Sequence, residues 1–161
     1  MEKLGVAILG LDHWYSAEHI ALAVIDSAGA RLVAVSHDDL AKGRQLIRNA
    51  GDAFWTSDYR AALDRKDVDI VVVLYSTDRN VAICQEAAAL GKHIVSVKPM
   101  AMDLAGADAI VAAVRAAGVQ FFPLECQRRL NPDSRRIKSW VDEGRIGRPI
   151  RPSSKIGRAH V

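Results

Sequence analysis

The fold of this chain is constrained most by a regular alternation of short apolar runs and amphipathic segments. Most of the runs are rich in branched side chains and continuously apolar, which is typical of strands covered on both faces of a parallel sheet. The runs predicted to form strands are Gly5–Leu9, Arg31–Val35, Ile70–Tyr75, His93–Val97 and Gln120–Leu124, with a weaker candidate at Phe54-Trp55.

Helical patterns lie between the strand candidates and cover Ser16–Ser27, Asp39–Ala50, Tyr59–Arg65, Arg79–Leu90 and Asp103–Ala117. In the first of these, Ile20, Ala21, Val24 and Ile25 share one apolar face. Strands that alternate with helices in this way predict the α/β class, with a doubly wound parallel sheet of the Rossmann type.

The pattern changes after Leu124 and suggests three parts. Residues 1–124 are predicted to form a dinucleotide-binding domain, and 125–150 a linker with one helix, Asp133–Glu143, whose apolar face carries Ile137, Trp140 and Val141. Residues 151–161 are predicted to be an irregular tail. Its last six residues read back into codons as a frame of a sequencing adapter, so we expect a truncated reading frame and a tail that is in part a sequencing artefact. An ordinary polar tail is the alternative.

Charge and composition exclude several classes of protein. Residues 1–127 carry 12 Lys/Arg and 16 Asp/Glu, net −4, whereas residues 128–161 carry 10 and 3, net +7. The basic part lacks interleaved aromatic residues, so we expect no nucleic-acid partner. No apolar run approaches the roughly 20 residues of a membrane helix, and no signal peptide is recognisable. Cys84 and Cys126 lie far apart, which predicts reduced thiols in a cytoplasmic protein.

The stretch "ILGLDHWYSAEHI", residues 8–20, has the form of a strand, a phosphate-binding turn and a helix. Gly10 retains the tight turn, but Asp12 and Tyr15 replace the second and third glycines of a G-x-G-x-x-G loop. We expect Asp12 to avoid repelling a pyrophosphate by accepting N–H bonds at the helix start, with Ser16 as a second capping candidate. The loop predicts weaker dinucleotide binding than a full motif, and an unliganded turn is the alternative.

The same loop carries His13 and, in the helix, His19. Their spacing of six residues differs from the i, i+4 pairing that places two metal ligands on one helical face. The sequence therefore predicts no metal site. His13 and the adjacent Trp14 are predicted neighbours of a bound cofactor.

The end of the second strand, "RLVAVSHDD", is where a dinucleotide fold usually places the carboxylate for the adenosine ribose. Asp38 is predicted to reach the ribose. His37, with Lys42 or Arg44 nearby, favours a 2′-phosphate, so NAD and NADP both remain candidates. Asp39 is predicted to cap the following helix.

The stretch "GKHIVSVKPMA", residues 91–101, places Lys98 at the carboxyl end of a strand. That is the crevice in which open α/β sheets bind their ligands. Pro99 ends the strand ladder because proline has no N–H to donate.

From Gly5 to Pro149 the chain resembles the N-terminal domain of the Gfo/Idh/MocA oxidoreductases. The resemblance lies in Gly10, "LVAVSHDD", "GKHIVSVKPMA", "QRRLNP" and "GRIGRP". It implies an NAD(P)-dependent oxidoreductase that transfers hydride to or from a sugar-like or polyol substrate. It also implies that Lys98, which matches the lysine of a Glu-Lys-Pro motif, is catalytic and lies by the nicotinamide. Ser76, Thr77 and Asn80 occupy the places of a further cofactor-binding turn.

Departures from the family pattern lie on the cofactor side. Val97 replaces the usual glutamate, Asp12 replaces a glycine, and His37 stands where the ribose acid is common. The family's C-terminal α/β domain is missing from this chain, so we expect the chain alone to be inactive, with any homo-oligomer formed through that domain. A non-catalytic nucleotide-binding or sensory protein is the alternative function, and a pure assembly module is a third.

Overall fold

Strands and helices alternate in the computed structural model, which describes residues 2–124 and 129–151. The strands are β1 (Leu4–Leu9), β2 (Ala30–Ser36), β3 (Phe54–Thr56), β4 (Ile70–Val73), β5 (His93–Ser96) and β6 (Phe121–Pro123). The helices are α1 (Trp14–Ile25), α2 (Leu40–Leu46), α3 (Tyr59–Leu63), α4 (Thr77–Ala89), α5 (Leu104–Ala117) and α6 (Pro132–Asp142).

All six strands form one parallel sheet in the order β3-β2-β1-β4-β5-β6. Strand β1 pairs with β2 on one side and β4 on the other, and Leu9 lies opposite both Ser36 and Val73. The strand order reverses between β1 and β4, which makes their carboxyl ends the topological switch point of the sheet. The predicted doubly wound sheet is confirmed, including the weak strand at Phe54-Trp55.

The continuous apolar runs are explained by two hydrophobic clusters. Along β1, Ala7 and Leu9 belong to one cluster, whereas Val6 and Ile8 belong to the other. Because successive side chains of a strand point to opposite faces, both faces of β1 are covered. Helices α3, α4 and α5 contribute to the first cluster, and α1 contributes to the second.

Two helices differ from the predicted bounds in ways that matter for packing or for the site. Helix α2 ends at Leu46 instead of Ala50, because Ile47 and Ala50 leave the helix and are buried in the second cluster. Helix α4 begins at Thr77, two residues before the predicted Arg79. Arg79 therefore lies in the first turn of α4 instead of at its start.

Residues from 126 onward form a separate unit, and its described part contains α6. Asn131 caps this helix by accepting from the N–H groups of Asp133 and Ser134 at 2.9 and 3.1 Å, and Pro132 occupies the first turn, where it is favoured. The side chains of Ile137 and Trp140 are 57% and 38% exposed. The predictions for Cys126 and for residues 152–161 lie outside the described residues.

Two searches for special features gave negative results for residues 2–124 and 129–151. No helix there is long and apolar enough to cross a bilayer. No three His, Cys, Asp or Glu side chains in these ranges are grouped so that they could hold a metal ion.

Candidate functional site

Gly10 makes the turn that follows β1, and no other residue fits there. Its φ of +81° lies in the left-handed region, and an added Cβ would lie 2.6 Å from the Tyr75 backbone nitrogen and 2.7 Å from the Tyr75 Cα. Glycine is therefore required both by its backbone conformation and by the close approach of the chain after β4.

The loop after Gly10 is bonded to the end of β4. The backbone N–H groups of Asp12 and His13 donate to the Leu74 carbonyl at 3.1 and 3.3 Å. Asp12 Oδ2 accepts from the Ser76 N–H at 2.7 Å. The N-cap residue of α1 is His13, whose side chain forms no capping hydrogen bond, instead of the predicted Asp12 or Ser16. The Asp12 carboxylate instead satisfies a donor at the start of α4 that the helix itself leaves unpaired.

The first turn of α1 presents aromatic side chains. Trp14 is 61% exposed, and its ring centroid lies 6.1 Å from that of Tyr15 in an edge-to-face arrangement. His13 Nδ1 lies 3.2 Å from the Tyr15 hydroxyl. The N–H groups of Trp14 and Tyr15 precede the first hydrogen bond of the helix, which runs from the Ser16 N–H to the His13 carbonyl. They carry the positive end of the helix dipole, which suits an anion such as a pyrophosphate.

Tyr75 forms the buried floor beneath this loop. Its hydroxyl lies 3.0 Å from Ser36 Oγ, so the ends of β2 and β4 are joined by a buried hydrogen bond. Burial is the main reason that the pKa of Tyr75 is raised above its ordinary value of 10.0, and the charge of Asp38 adds to the rise. The phenol therefore stays protonated and serves as a neutral support.

The three polar residues that follow β2, His37, Asp38 and Asp39, have different roles. Asp39 accepts from the Lys42 N–H at 3.0 Å and caps α2, as predicted. His37 is only 6% exposed, and its backbone N–H donates to the Thr56 carbonyl. Asp38 is accessible to a ligand, since its side chain is 65% exposed.

Arg79 binds Asp38, and neither it nor Tyr75 was identified as a site residue from the sequence. Arg79 Nη1 donates to Asp38 Oδ2 at 2.9 Å, and the Arg79 Cζ lies 3.7 Å from the Tyr75 ring centroid. One signal was present in the sequence: a cation in the first turn of a helix opposes the helix dipole. Such a residue is expected to have a partner outside its helix.

Lys98 lies at the opposite side of the site, directly after β5. It is exposed and forms no ion pair with any residue that the structure describes. The following residue, Pro99, is joined to it by a cis peptide bond and accepts from Asn80 Nδ2 at 3.2 Å. Asn80 is fully buried, so it holds the Lys98-Pro99 segment from the protein interior.

The residue before Lys98 is buried and apolar. Val97, in the place of the usual glutamate, is 2% exposed and packs in the second hydrophobic cluster.

Cys84 lies on the inner side of α4, where burial raises the pKa of its thiol to about 12. This thiol is not a nucleophile at neutral pH.

The predicted site residues meet along one edge of the sheet. These residues follow four strands: β1 is followed by Gly10, Asp12, His13 and Trp14; β2 by His37 and Asp38; β4 by Ser76, Thr77 and Asn80; and β5 by Lys98. From β2 to β5 there are three strand spacings, or about 14 Å. The exposed carboxylate, the helix N-terminus and the exposed lysine along this crevice are a donor and acceptor set that fits a dinucleotide.

A family model agrees with this geometry. The model for the Gfo/Idh/MocA oxidoreductases, described as an oxidoreductase family with an NAD-binding Rossmann fold, matches residues 4–124. The chain belongs to this family. Membership establishes the family's NAD-binding Rossmann fold over these residues, as the resemblance implied.

Relatives with assigned activities are similar over most of this Gfo/Idh/MocA chain. Inositol 2-dehydrogenase of Streptomyces avermitilis is 31% identical over 92% of the chain and 43% of its own length. The NAD(+)-dependent scyllo-inositol 2-dehydrogenase of Bacillus subtilis is 30% identical over 89% of the chain and 42% of its own length. The chain therefore spans less than half the length of these relatives.

A solved structure supports the same fold. The scyllo-inositol dehydrogenase of Lactobacillus casei, determined with NAD(H) and scyllo-inositol bound, superposes with a TM-score of 0.80 over 91% of this chain and 43% of its own. Its sequence identity is 21%, so this likeness shows the architecture alone.

Proposed function

We propose that the chain is the dinucleotide-binding part of an oxidoreductase that transfers hydride between NAD(P) and a secondary alcohol of a polyol. The observation that carries the proposal is the placement of exposed Lys98 on the same sheet edge as the Gly10 turn and the exposed Asp38. The polyol class is supported by the inositol dehydrogenases among the relatives.

In this proposal the cofactor lies along the carboxyl edge of the sheet. The N-terminus of α1 after the Gly10 turn holds the pyrophosphate, with His13 and Trp14 beside it. Asp38 accepts from the adenosine ribose hydroxyls. Ser76 and Thr77, at the start of α4, lie between the ribose end and the Lys98 end of the site.

Bound NAD(P) supplies the hydride acceptor or donor. The part played by this chain is to place the Lys98 ammonium against the alcohol or carbonyl oxygen of the substrate, where Nζ donates a hydrogen bond and stabilises developing negative charge. Asn80 contributes by holding Pro99, and so positions Lys98 without touching the substrate.

The test of this mechanism is Lys98→Met, assayed on the product of the whole gene. Turnover of polyols is expected to fall by about 10²-fold or more, with an unchanged unfolding temperature because the side chain is exposed. Lys66→Met, a change at another exposed lysine that precedes β4 and so lies away from the site, is the matched control and should retain full turnover. Turnover of the Lys98 variant at the level of the unmodified protein would remove Lys98 from the mechanism.

Residues 125–150 fit the role of a linker to a further α/β domain. The chain covers less than half of its relatives' length, and Ile137 and Trp140 of α6 are exposed apolar side chains of the kind that mark interfaces. We infer that the further domain supplies most of the substrate pocket and any homo-oligomeric contact made beyond the described residues.

A second candidate is a nucleotide-binding protein without catalysis. The observation that favours it is the Leu74 carbonyl, which occupies two N–H groups of the loop that would otherwise face a ligand. Titration with NADH and NADPH, followed by assays with a panel of polyols, separates the candidates. Binding without turnover supports the non-catalytic function, and absence of dinucleotide binding supports an assembly module.

A further inference from the structure

Helix α5 has an inner side in the core and an outer side that is exposed. On the inner side, Ile110 is fully buried and Val114 packs against the first hydrophobic cluster. On the outer side, Leu104 and Val111 are 83% and 37% exposed, and Met102, just before the helix, is 74% exposed. Exposed apolar side chains grouped in this way mark an interaction surface.

Asp108 and Arg115 are the charged residues of α5, and both are exposed on its outer side. They are seven positions apart in the sequence, close to two helical turns, so they lie on one stripe with Val111 between them. Along the helix axis they are separated by about 10 Å, which is too far for them to pair with each other. Neither forms an ion pair with any residue in the ranges 2–124 and 129–151. The stripe therefore offers one anion and one cation to a partner.

The other exposed residues along this side are alanines, namely Ala105, Ala112 and Ala116. Small side chains let two helix axes approach to about 8 Å, the short end of the usual range for packed helices. At that separation an aspartate and an arginine at the same level on facing helices can reach each other.

We propose that the outer side of α5 is the contact between two copies of this chain, with the two α5 helices antiparallel about a two-fold axis beside Val111 and Ala112. Asp108 and Arg115 lie equally far from this axis, so the rotation brings each of them opposite the other. The contact therefore contains two ion pairs, and Leu104 of each copy lies over the last turn of the other copy's α5.

The charge pattern identifies a second copy as the occupant of this surface. One anion and one cation placed symmetrically about the centre make the outer side of α5 complementary to itself. Parallel helices would place like charges opposite each other, which is destabilising, so the antiparallel orientation is fixed. The contact lies within residues 2–124, whereas the sequence led us to expect homo-oligomeric contacts in the missing C-terminal domain.

The test measures the mass of the full chain by sedimentation velocity over a range of concentrations. One helix per copy is a small interface, so we expect a dimer with a dissociation constant of about 10 µM. Asp108→Arg and Arg115→Asp each place like charges opposite each other. Each should raise the dissociation constant by about tenfold or more, or about 1.4 kcal/mol.

Two combinations separate loss of the ion pairs from loss of structure. The double variant Asp108→Arg, Arg115→Asp exchanges the two charges and should dimerise like the unmodified chain. An equimolar mixture of the two single variants should form a heterodimer, because one copy then carries both cations and the other carries both anions.

A cysteine beside the two-fold axis gives an independent measurement. Ala112→Cys should form a disulfide between two copies under mild oxidation, because a residue next to the axis lies close to its own counterpart. Ala82→Cys, at an exposed alanine of α4, is the matched control and should remain monomeric on denaturing gels. The unmodified chain shows any cross-link made by its own cysteines.

Several results would overturn the proposal. An unmodified chain that is monomeric at about 100 µM has no such contact. A dimer that persists in both single variants lies elsewhere, with the exposed Ile137 and Trp140 of α6 as the next candidates. Single variants that are not rescued by exchanging the charges contradict the antiparallel pairing. If the single variants leave the assembled mass of the whole gene's product unchanged, the further domain covers this side of α5 instead.

Discussion

The two edges of the parallel sheet treat their charged groups in opposite ways. At the amino edge, where the strands begin, two of the charged side chains are bonded to the backbone. Lys92 Nζ donates to the carbonyls of Arg65 and Val68 at 3.0 and 2.7 Å, and Asp69 Oδ2 accepts from the Gly5 N–H at 2.7 Å. These charged groups satisfy backbone donors and acceptors.

At the carboxyl edge the backbone is fixed and the charged groups are accessible. Gly10 packs against Tyr75, and Asp12 joins two loops. Lys98 has no ion pair within the described ranges, and Asp38 is largely exposed. The comparison teaches that one residue type, lysine, stabilises the fold at one edge and is available for a ligand at the other.

The largest effect is expected from breaking the backbone of the carboxyl edge with Gly10→Ala. The new methyl group would meet the Tyr75 backbone in a residue with φ +81°. We expect a loss of about 3 kcal/mol or more in the free energy of unfolding, measured by urea titration.

The control for this change is Gly51→Ala. Gly51 has φ +58°, but an added Cβ would find nothing within 4 Å, so only the backbone cost of about 1 to 2 kcal/mol remains. Equal losses in the two variants would show that the contact with Tyr75 does not constrain the turn.

A lysine pair tests the comparison between the edges directly. Lys92→Met removes two hydrogen bonds from a charged donor and is expected to lower the free energy of unfolding by about 2 to 3 kcal/mol. Lys98→Met should change it by less than about 0.5 kcal/mol. Urea unfolding of both variants is the measurement, and a reversed order would refute the contrast between the edges.

A smaller effect is expected from Asp12→Asn, which keeps an acceptor for the Ser76 N–H but removes a negative charge next to the proposed pyrophosphate site. At about 4 Å in water this repulsion is about 1 kcal/mol, so NADH affinity should rise about fivefold. Asp103→Asn, at the residue that caps α5 by accepting from the Gly106 N–H, is the control. An affinity gain in the control, or none in Asp12→Asn, would argue against a phosphate at this loop.

The smallest effect concerns acid stability at the amino edge. The Arg65 guanidinium, bonded to Asp67 at 2.9 and 2.8 Å, lowers the pKa of that carboxyl below its ordinary value of 3.8. The stability that the Arg65–Asp67 ion pair contributes is therefore present above pH 3.8 and is lost as the pH falls below the lowered pKa of Asp67.

Asp67→Asn should accordingly destabilise the protein at pH 7 and have little effect at about pH 2, measured by urea unfolding at both values. Asp52, in the turn before β3, has no ion pair among the described side chains and provides the control Asp52→Asn. If Asp67→Asn still lowers the free energy of unfolding at about pH 2, the role of Asp67 is packing instead of the ion pair.

Much of the fold could be predicted from the sequence because its signals are local. Continuous branched runs such as Ile70–Val73 and the capping residue Asp39 act over a few positions. The end of α2 could not be predicted in this way, because the helix pattern continues to Ala50, whereas Ile47 has a non-helical backbone and packs in the tertiary core.

In the candidate site, too, local signals could be predicted from the sequence and tertiary contacts could not. The sequence by itself determined that Gly10, Asp38 and Lys98 lie at one sheet edge, since each directly follows a strand and parallel strands end together. Only the tertiary structure decided what these groups contact. Asp12 meets Ser76 across 64 residues and Asp38 meets Arg79 across 41; such pairs depend on how neighbouring strands place their loops, and no local pattern encodes that placement.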